Sequence, residues 1–194
     1  LLIYRNAEGF IFPVPGFKSY LKDVSSEISN KPMLELMNGV SQKFIQKSAQ
    51  LNHPPNKNFT VLYSGNMGLA QDLKTIVEAA KLLKEYDINF RFIGNGVCKN
   101  EIQSLAKPLS KRISFHEPME RNKIIKAIKQ SSVCLVPLKN KKIFKNALPS
   151  KMFEYMACGR PVIVSVFGEA EKIISKSEAG ISIKPEDPKA LSDA

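Results

Sequence analysis

Residues Leu148–Ser165, LPSKMFEYMACGRPVIVS, carry a helix, its stop and a strand in eighteen positions. KMFEYMAC has the composition of a short helix. Gly159 is placed to end it, because helices often close on a left-handed residue and glycine takes that backbone without a Cβ penalty. RPVIVS then runs β-branched and apolar, as a strand does when both faces of its sheet are covered. A helix that hands the chain to a doubly buried strand is half of a βαβ unit, and βαβ units build parallel sheets. In a segment otherwise made for burial stands one carboxylate, Glu154.

The same alternation extends outward from this stretch. FTVLYSG predicts a buried strand from Phe59, and AQDLKTIVEAAKLLKEY a helix with Leu73, Ile76, Val77, Ala80 and Leu83 on one face. NFRFIGNG, RISFHEP and SVCLVPL read as strands, separated by helices in EIQSLAKPL and RNKIIKAIKQS. After RPVIVS come a helix in GEAEKIISKS, a strand in AGISIK and a last helix opened by DPKALSDA. Strands alternating with helices at this spacing predict an α/β fold with an open, doubly wound parallel sheet of Rossmann-like type over residues 59–194.

Residues 1–46 are less regular. LLIY and GFIFPVPG look like short strand and turn segments, FKSYLKDV like a helical turn or two, and LELMNGV like a strand entering an Asn-Gly turn. KSAQLNHPPNKN, residues 47–58, is polar with a proline pair and reads as a linker. The chain begins without an initiator methionine, and LLIYRNAEGFIF lacks a basic leader and a small-residue cleavage site, so the expectation is a piece of a longer protein without a signal peptide.

Composition narrows the function. Of 194 residues, 43% are hydrophobic, enough for a packed core. No window approaches about 18 uninterrupted apolar residues, so no transmembrane helix is expected. The net charge of +11 calls for an anionic partner. It is carried mostly by lysine, tryptophan is absent, and no aromatic–basic interleaving appears, which argues against nucleic acid. A solvated lysine surface and attraction to an anionic membrane surface both remain open. Cys98, Cys134 and Cys158 are odd in number and form no CxxC, and with two histidines they suggest neither a disulfide framework nor a zinc site. No metal is expected. His53 and His116 read as structural or surface residues, Cys134 and Cys158 as small core residues.

Ligands of such sheets bind outside the carboxyl ends of the strands. Gly65-Asn66-Met67-Gly68 follows the first strand of the regular part and precedes a helix, whose free amides could seat a diphosphate; a tight strand-to-helix turn explains it equally. Gly94-Asn95-Gly96 could let backbone approach a flat base, or form a simple turn. Five lysines fall between Lys139 and Lys151, and most suit a solvated loop. Lys151 differs, because with Pro149 and Ser150 it stands at a helix mouth where an ammonium adds to the helix's positive end. Glu154 follows one turn on and can accept two hydrogen bonds, as the vicinal hydroxyls of a ribose require; a surface carboxylate is the alternative. Together these parts read as a nucleotide clamp.

In the order YSGNMG, FRFIGNG, LPSKMFEYMACGRPVIVS and GEAEKII…AGISIKPEDPKAL, residues 59–194 resemble the nucleotide-binding C-terminal domain of GT-B glycosyltransferases of the large retaining family 4, in particular the bacterial branch that builds O-antigen, capsule and colanic-acid type polysaccharides. GFIFPVPGFKSYLK…LELMNGVSQKFI is similar to the end of that family's acceptor domain. The most specific part is PSK-x-FEYMA-x-GRPV. The resemblance implies a hexosyltransferase-like enzyme that moves a sugar from a nucleoside diphosphate, UDP before GDP, to a cell-envelope polysaccharide or lipid-linked acceptor with retention, at the inner face of the cell membrane. Glu154 matches the second, ribose-binding acid of the family's E-x7-E motif. The first falls at Asn146, which could still hydrogen-bond sugar hydroxyls. The arginine and lysine that many members carry after the first strand are replaced by Asn66 and by Gln71 or Asp72, so Lys151 and backbone amides are expected to supply the diphosphate's counter-charge. Gly168 and Glu169 stand where the family holds the donor's pyrophosphate or sugar end. The chain alone is expected to bind donor and transfer poorly. A nucleotide-sugar epimerase of the same fold, and a non-catalytic nucleotide-binding module, are the rival readings.

Overall fold

The computed structural model describes residues 2–14, 17–18, 21, 28, 30–51 and 54–194. Its centre is a six-stranded sheet. The strands are β3 (Phe59–Ser64), β4 (Ile88–Ile93), β5 (Ile113–His116), β6 (Val133–Pro137), β7 (Val162–Ser165) and β8 (Gly180–Ser182), all parallel, in spatial order β5-β4-β3-β6-β7-β8. The order reverses between β3 and β6, so the connections from these two neighbours diverge and leave a crevice at their carboxyl ends.

The doubly wound architecture follows from side-chain alternation. Along β3, Val61 and Tyr63 point to one face and Leu62 to the other; along β6, Val133 and Leu135 oppose Cys134 and Val136. Both faces are therefore apolar, and each is covered. Helices α3 (Leu73–Leu82) and α4 (Lys99–Ala106) bury Ile76, Val77 and Ile102 on one side, where α8 (Pro188–Asp193) packs the half-buried Leu191. Helices α5 (Arg121–Gln130), α6 (Ser150–Ala157) and α7 (Glu169–Ser177) bury Ile125, Ile128, Met152, Tyr155 and Ile174 on the other. α6 ends as expected, with Gly159 at φ 66°. Cys134 and Cys158 are core residues, and burial pushes the Cys134 thiol up to about 12.

The first fifty residues differ from their sequence reading. The described part of LLIY lies in a helix, α1 (Leu2–Asn6), not a strand. β1 (Phe10–Phe12) and β2 (Met33–Glu35) pair in parallel, and β2 ends before Leu36, so the strand expected to run into Asn38-Gly39 is short. Most of FKSYLKDV and His53 lie outside the described residues. The polar run at 47–58 is not all linker, because helix α2 spans Gln42–Gln50. Ser41 caps it by accepting from the Phe44 amide at 3.3 Å. Phe44 is 1% exposed and belongs to the same core as α5 and α6, and the Ser48 hydroxyl donates to the Ala157 carbonyl at 3.1 Å. Packing of the Phe44 face docks a helix that is otherwise polar but rich in the helix formers Gln, Lys and Ala.

Candidate functional site

A crevice of about 560 Å³ opens at the carboxyl ends of β3 and β4, beside the start of α6. Its floor is made by two glycine loops that close on each other. The Gly65 amide donates to the Ile93 carbonyl at 2.9 Å and the Met67 amide to Asn95 at 2.8 Å. Gly94 has φ 142°, and a Cβ there would lie 1.9 Å from the Gly65 carbonyl oxygen. Glycine at this position is thus required by loop-to-loop approach, and that approach sets the depth of the floor. Gly96 and Gly68 stand behind the rim, Gly96 against Met67 and Gly68 against Asn66 and Gln71.

The wall is α6. On this helix Met152 and Tyr155 are buried, while Lys151 and Glu154, also three apart, line the crevice. Tyr155 fixes the helix to the sheet: its hydroxyl accepts from the Ser64 amide at 2.9 Å and lies 3.0 Å from the Ser64 hydroxyl. Pro149 occupies the N-cap without a side-chain cap, so the helix start keeps unpaired donor capacity beside Ser150. Lys151 reaches across the point where the strand order reverses. Its ammonium donates to the Tyr63 hydroxyl at 3.0 Å and sits 4.1 Å from the Tyr63 ring centroid. Desolvation pushes its pKa down to about 8, partly opposed by Glu154. Glu154 lies 3.6 Å from the Arg121 guanidinium at the first turn of α5, and Arg121 in turn stands 5.2 Å over the Phe44 ring.

Of the residues expected from sequence, Gly65, Asn66, Gly94, Asn95, Ser150, Lys151 and Glu154 come together in this crevice. Gln71 lines it too, accepting the Gly68 amide at 3.1 Å, whereas Asp72 is buried before α3. Asn146 is not among the lining residues. It ends a 3-10 turn, Lys142–Asn146, whose Lys145 carbonyl packs against Gly168 so closely that a Cβ on Gly168 would lie 2.1 Å away. Gly168 and Glu169 open α7 on that side: Glu171 accepts the Gly168 amide at 3.0 Å and Glu169 pairs with Lys172 at 2.7 Å. His116 bonds Ser114 at 3.2 Å, outside the crevice. Sequence reasoning missed Tyr63, Tyr155, Arg121 and the apolar rim of Pro118, Met119 and Ile124. Among the described residues no three His, Cys, Asp or Glu side chains gather as a metal site, and no helix is long and apolar enough to cross a membrane.

The sequence profile of the family described as "Glycosyl transferases group 1" matches residues 44–194, from α2 to the last residue of the chain. The chain belongs to the glycosyl transferases group 1 family. This group 1 chain is 27% identical over 145 residues to WcaI of Escherichia coli (strain K12), whose name is that of a colanic acid biosynthesis glycosyl transferase; the match covers 73% of the chain and 35% of WcaI. Its fold is shared with sucrose-phosphate synthase from Thermosynechococcus elongatus, with a TM-score of 0.79, 24% identity, and 100% of this chain and 49% of that one covered. It is also shared with Anabaena HepE, solved in complex with UDP-glucose, with a TM-score of 0.72, 14% identity, and 99% and 54% covered. The chain thus spans about a third of its curated relative and about half of these solved proteins.

Proposed function

We propose that this chain is the donor-binding domain of a retaining GT-B glycosyltransferase of family 4. It takes the nucleoside diphosphate part of a sugar donor, UDP in preference to GDP. The sugar goes to a cell-envelope polysaccharide or lipid-linked acceptor at the inner face of the cell membrane, where a lysine-rich surface favours anionic lipid. The observation that carries this reading is the pairing of Lys151 and Glu154 one turn apart at a helix start, over a floor of closely apposed glycine loops. The relatives' names support a role in polysaccharide assembly, and HepE with UDP-glucose supports the donor class.

The chemistry assigned to these residues is charge stabilisation. As the anomeric bond breaks, negative charge grows on the departing diphosphate. The Lys151 ammonium is partly desolvated and held by Tyr63, and together with the start of α6 and the Asn66 amide it needs little reorganisation when that charge appears. Glu154 accepts from the ribose diol, and the base lies over Gly94–Gly96. Asn146, with Gly168 and Glu169, stands further along α6's side of the sheet and serves the sugar end of the donor.

Titrating UDP, GDP and ADP against wild type and Glu154→Ala by calorimetry tests the reading. The expected result is UDP binding that weakens about tenfold or more in the variant, as for a lost pair of charge-assisted hydrogen bonds, with no sugar transfer by the chain alone. Indifference to Glu154→Ala would leave a nucleotide-binding module without a ribose contact, and turnover by the chain alone would overturn the assignment to donor binding only.

A further inference from the structure

Tyr63 occupies a position that the core alone would fill with phenylalanine. It is 1% exposed on the α3/α4 face of β3, with its ring 6.0 Å from that of Phe92, which stacks at 4.9 Å on Phe115. Burial raises the phenol well above its ordinary range, so the hydroxyl keeps its proton. That proton goes to the Asn66 carbonyl. The oxygen's lone pairs then face the Lys151 ammonium at 3.0 Å, and since an ammonium is donor-only, the direction of both bonds is fixed. The same ammonium fills the space that Gly65 leaves open: a Cβ on Gly65 would lie 2.8 Å from Nζ. One hydroxyl therefore joins the helix-borne cation to the loop that carries Gly65 and Asn66.

We propose that Tyr63 is a positioning residue of the anion site: its hydroxyl ties the Lys151 ammonium to the Gly65–Asn66 loop, so that the cation and the Asn66 amide converge on the same diphosphate oxygens. The proposal rests on the donor-binding reading above, and goes beyond it in naming a residue outside the crevice that governs diphosphate affinity. With one of its three protons on Tyr63, the ammonium keeps two for ligand oxygens. Without the hydroxyl, its long stem can adopt other rotamers and the loop loses an anchor.

Tyr63→Phe is the test, because it keeps the ring, the packing and the face beneath the cation and removes only the hydroxyl. UDP affinity is expected to fall about tenfold, as for one hydrogen bond to a charged group, while uridine, which lacks the phosphates, binds as before. With Lys151→Ala already in place, Tyr63→Phe is expected to change UDP affinity by about twofold or less. The pH profile gives a readout that loss of packing would not move. Glu154 favours the charged form of Lys151, and a hydroxyl that accepts from the ammonium does the same, so deleting the hydroxyl lowers the pH at which UDP affinity declines. Wild-type UDP affinity in Tyr63→Phe, or equal losses for UDP and uridine, overturns the proposal. If wild type binds no UDP, the donor-binding reading fails, and Lys151 acetylation by acetic anhydride across pH, read by peptide mass spectrometry in ligand-free protein, still decides the tie. A lower midpoint in Tyr63→Phe supports it and an unchanged midpoint overturns it.

Discussion

The two ends of the sheet carry cations in opposite ways. At the amino ends of β3, β4 and β5 a crevice of about 310 Å³ is lined by Lys57, Arg91, Lys111 and Arg112. Lys57 and Lys111 are exposed, and Arg112 spends its guanidinium on the carbonyls of Leu83 and Tyr86. At the carboxyl ends the larger crevice has a single lysine among its lining residues, held by a tyrosine, partly desolvated and set at a helix start. Counting charges would favour the first site for an anion. Physical chemistry favours the second, because a fully hydrated ammonium must shed water to meet a phosphate and so gains little, whereas a partly desolvated one has few competing partners.

That contrast can be broken at the floor first. Gly94→Ala puts a methyl group against the Gly65 carbonyl at a φ of 142°, and should destabilise the chain by about 2–4 kcal/mol in denaturant melts. A fall under about 0.5 kcal/mol would mean that the two loops are not locked together. Next in size, Lys151→Ala should weaken UDP binding by about thirtyfold, on the order of 2 kcal/mol, while the Lys57→Ala, Lys111→Ala double variant changes it by about twofold or less. Comparable losses at both ends would erase the distinction. Tyr155→Phe should cost about 1 kcal/mol of stability, because the Ser64 amide is left without its buried acceptor. Smallest, Arg121→Ala should cost about 0.5 kcal/mol, shrinking further at high salt, as for an exposed ion pair. A larger, salt-independent loss would show that the contact with Phe44 matters more than the one with Glu154.

How much of this could be read in the sequence depended on range. The regular half was legible because Val61, Leu62, Val133–Val136 and Val162–Val164 are apolar on both faces, a pattern that leaves few folds other than a covered parallel sheet. Lys151 and Glu154 were legible because they break an apolar helix at one-turn spacing. Tyr63 and Tyr155 were hidden inside apolar runs, where the ring accounts for the position and the hydroxyl leaves no pattern. Arg121 was hidden by distance along the chain, since only the fold brings the start of α5 to α6. The glycine loops were ambiguous because a tight turn and a crevice floor are here one feature: the close approach of Gly94 to Gly65 makes both. Helix α2 was read as partly linker because the polar, proline-paired run from Lys47 to Asn58 begins inside its last turn.

Phe44 and Ser48 have a practical bearing on anyone who trims this molecule. A shorter piece begun at Phe59, where regular alternation starts, would take the Phe44 ring out of the core it shares with α5 and α6 and leave the Ala157 carbonyl without the Ser48 hydroxyl. The safe cut lies upstream of Ser41, so that the cap, the plug and the sheet travel as one unit.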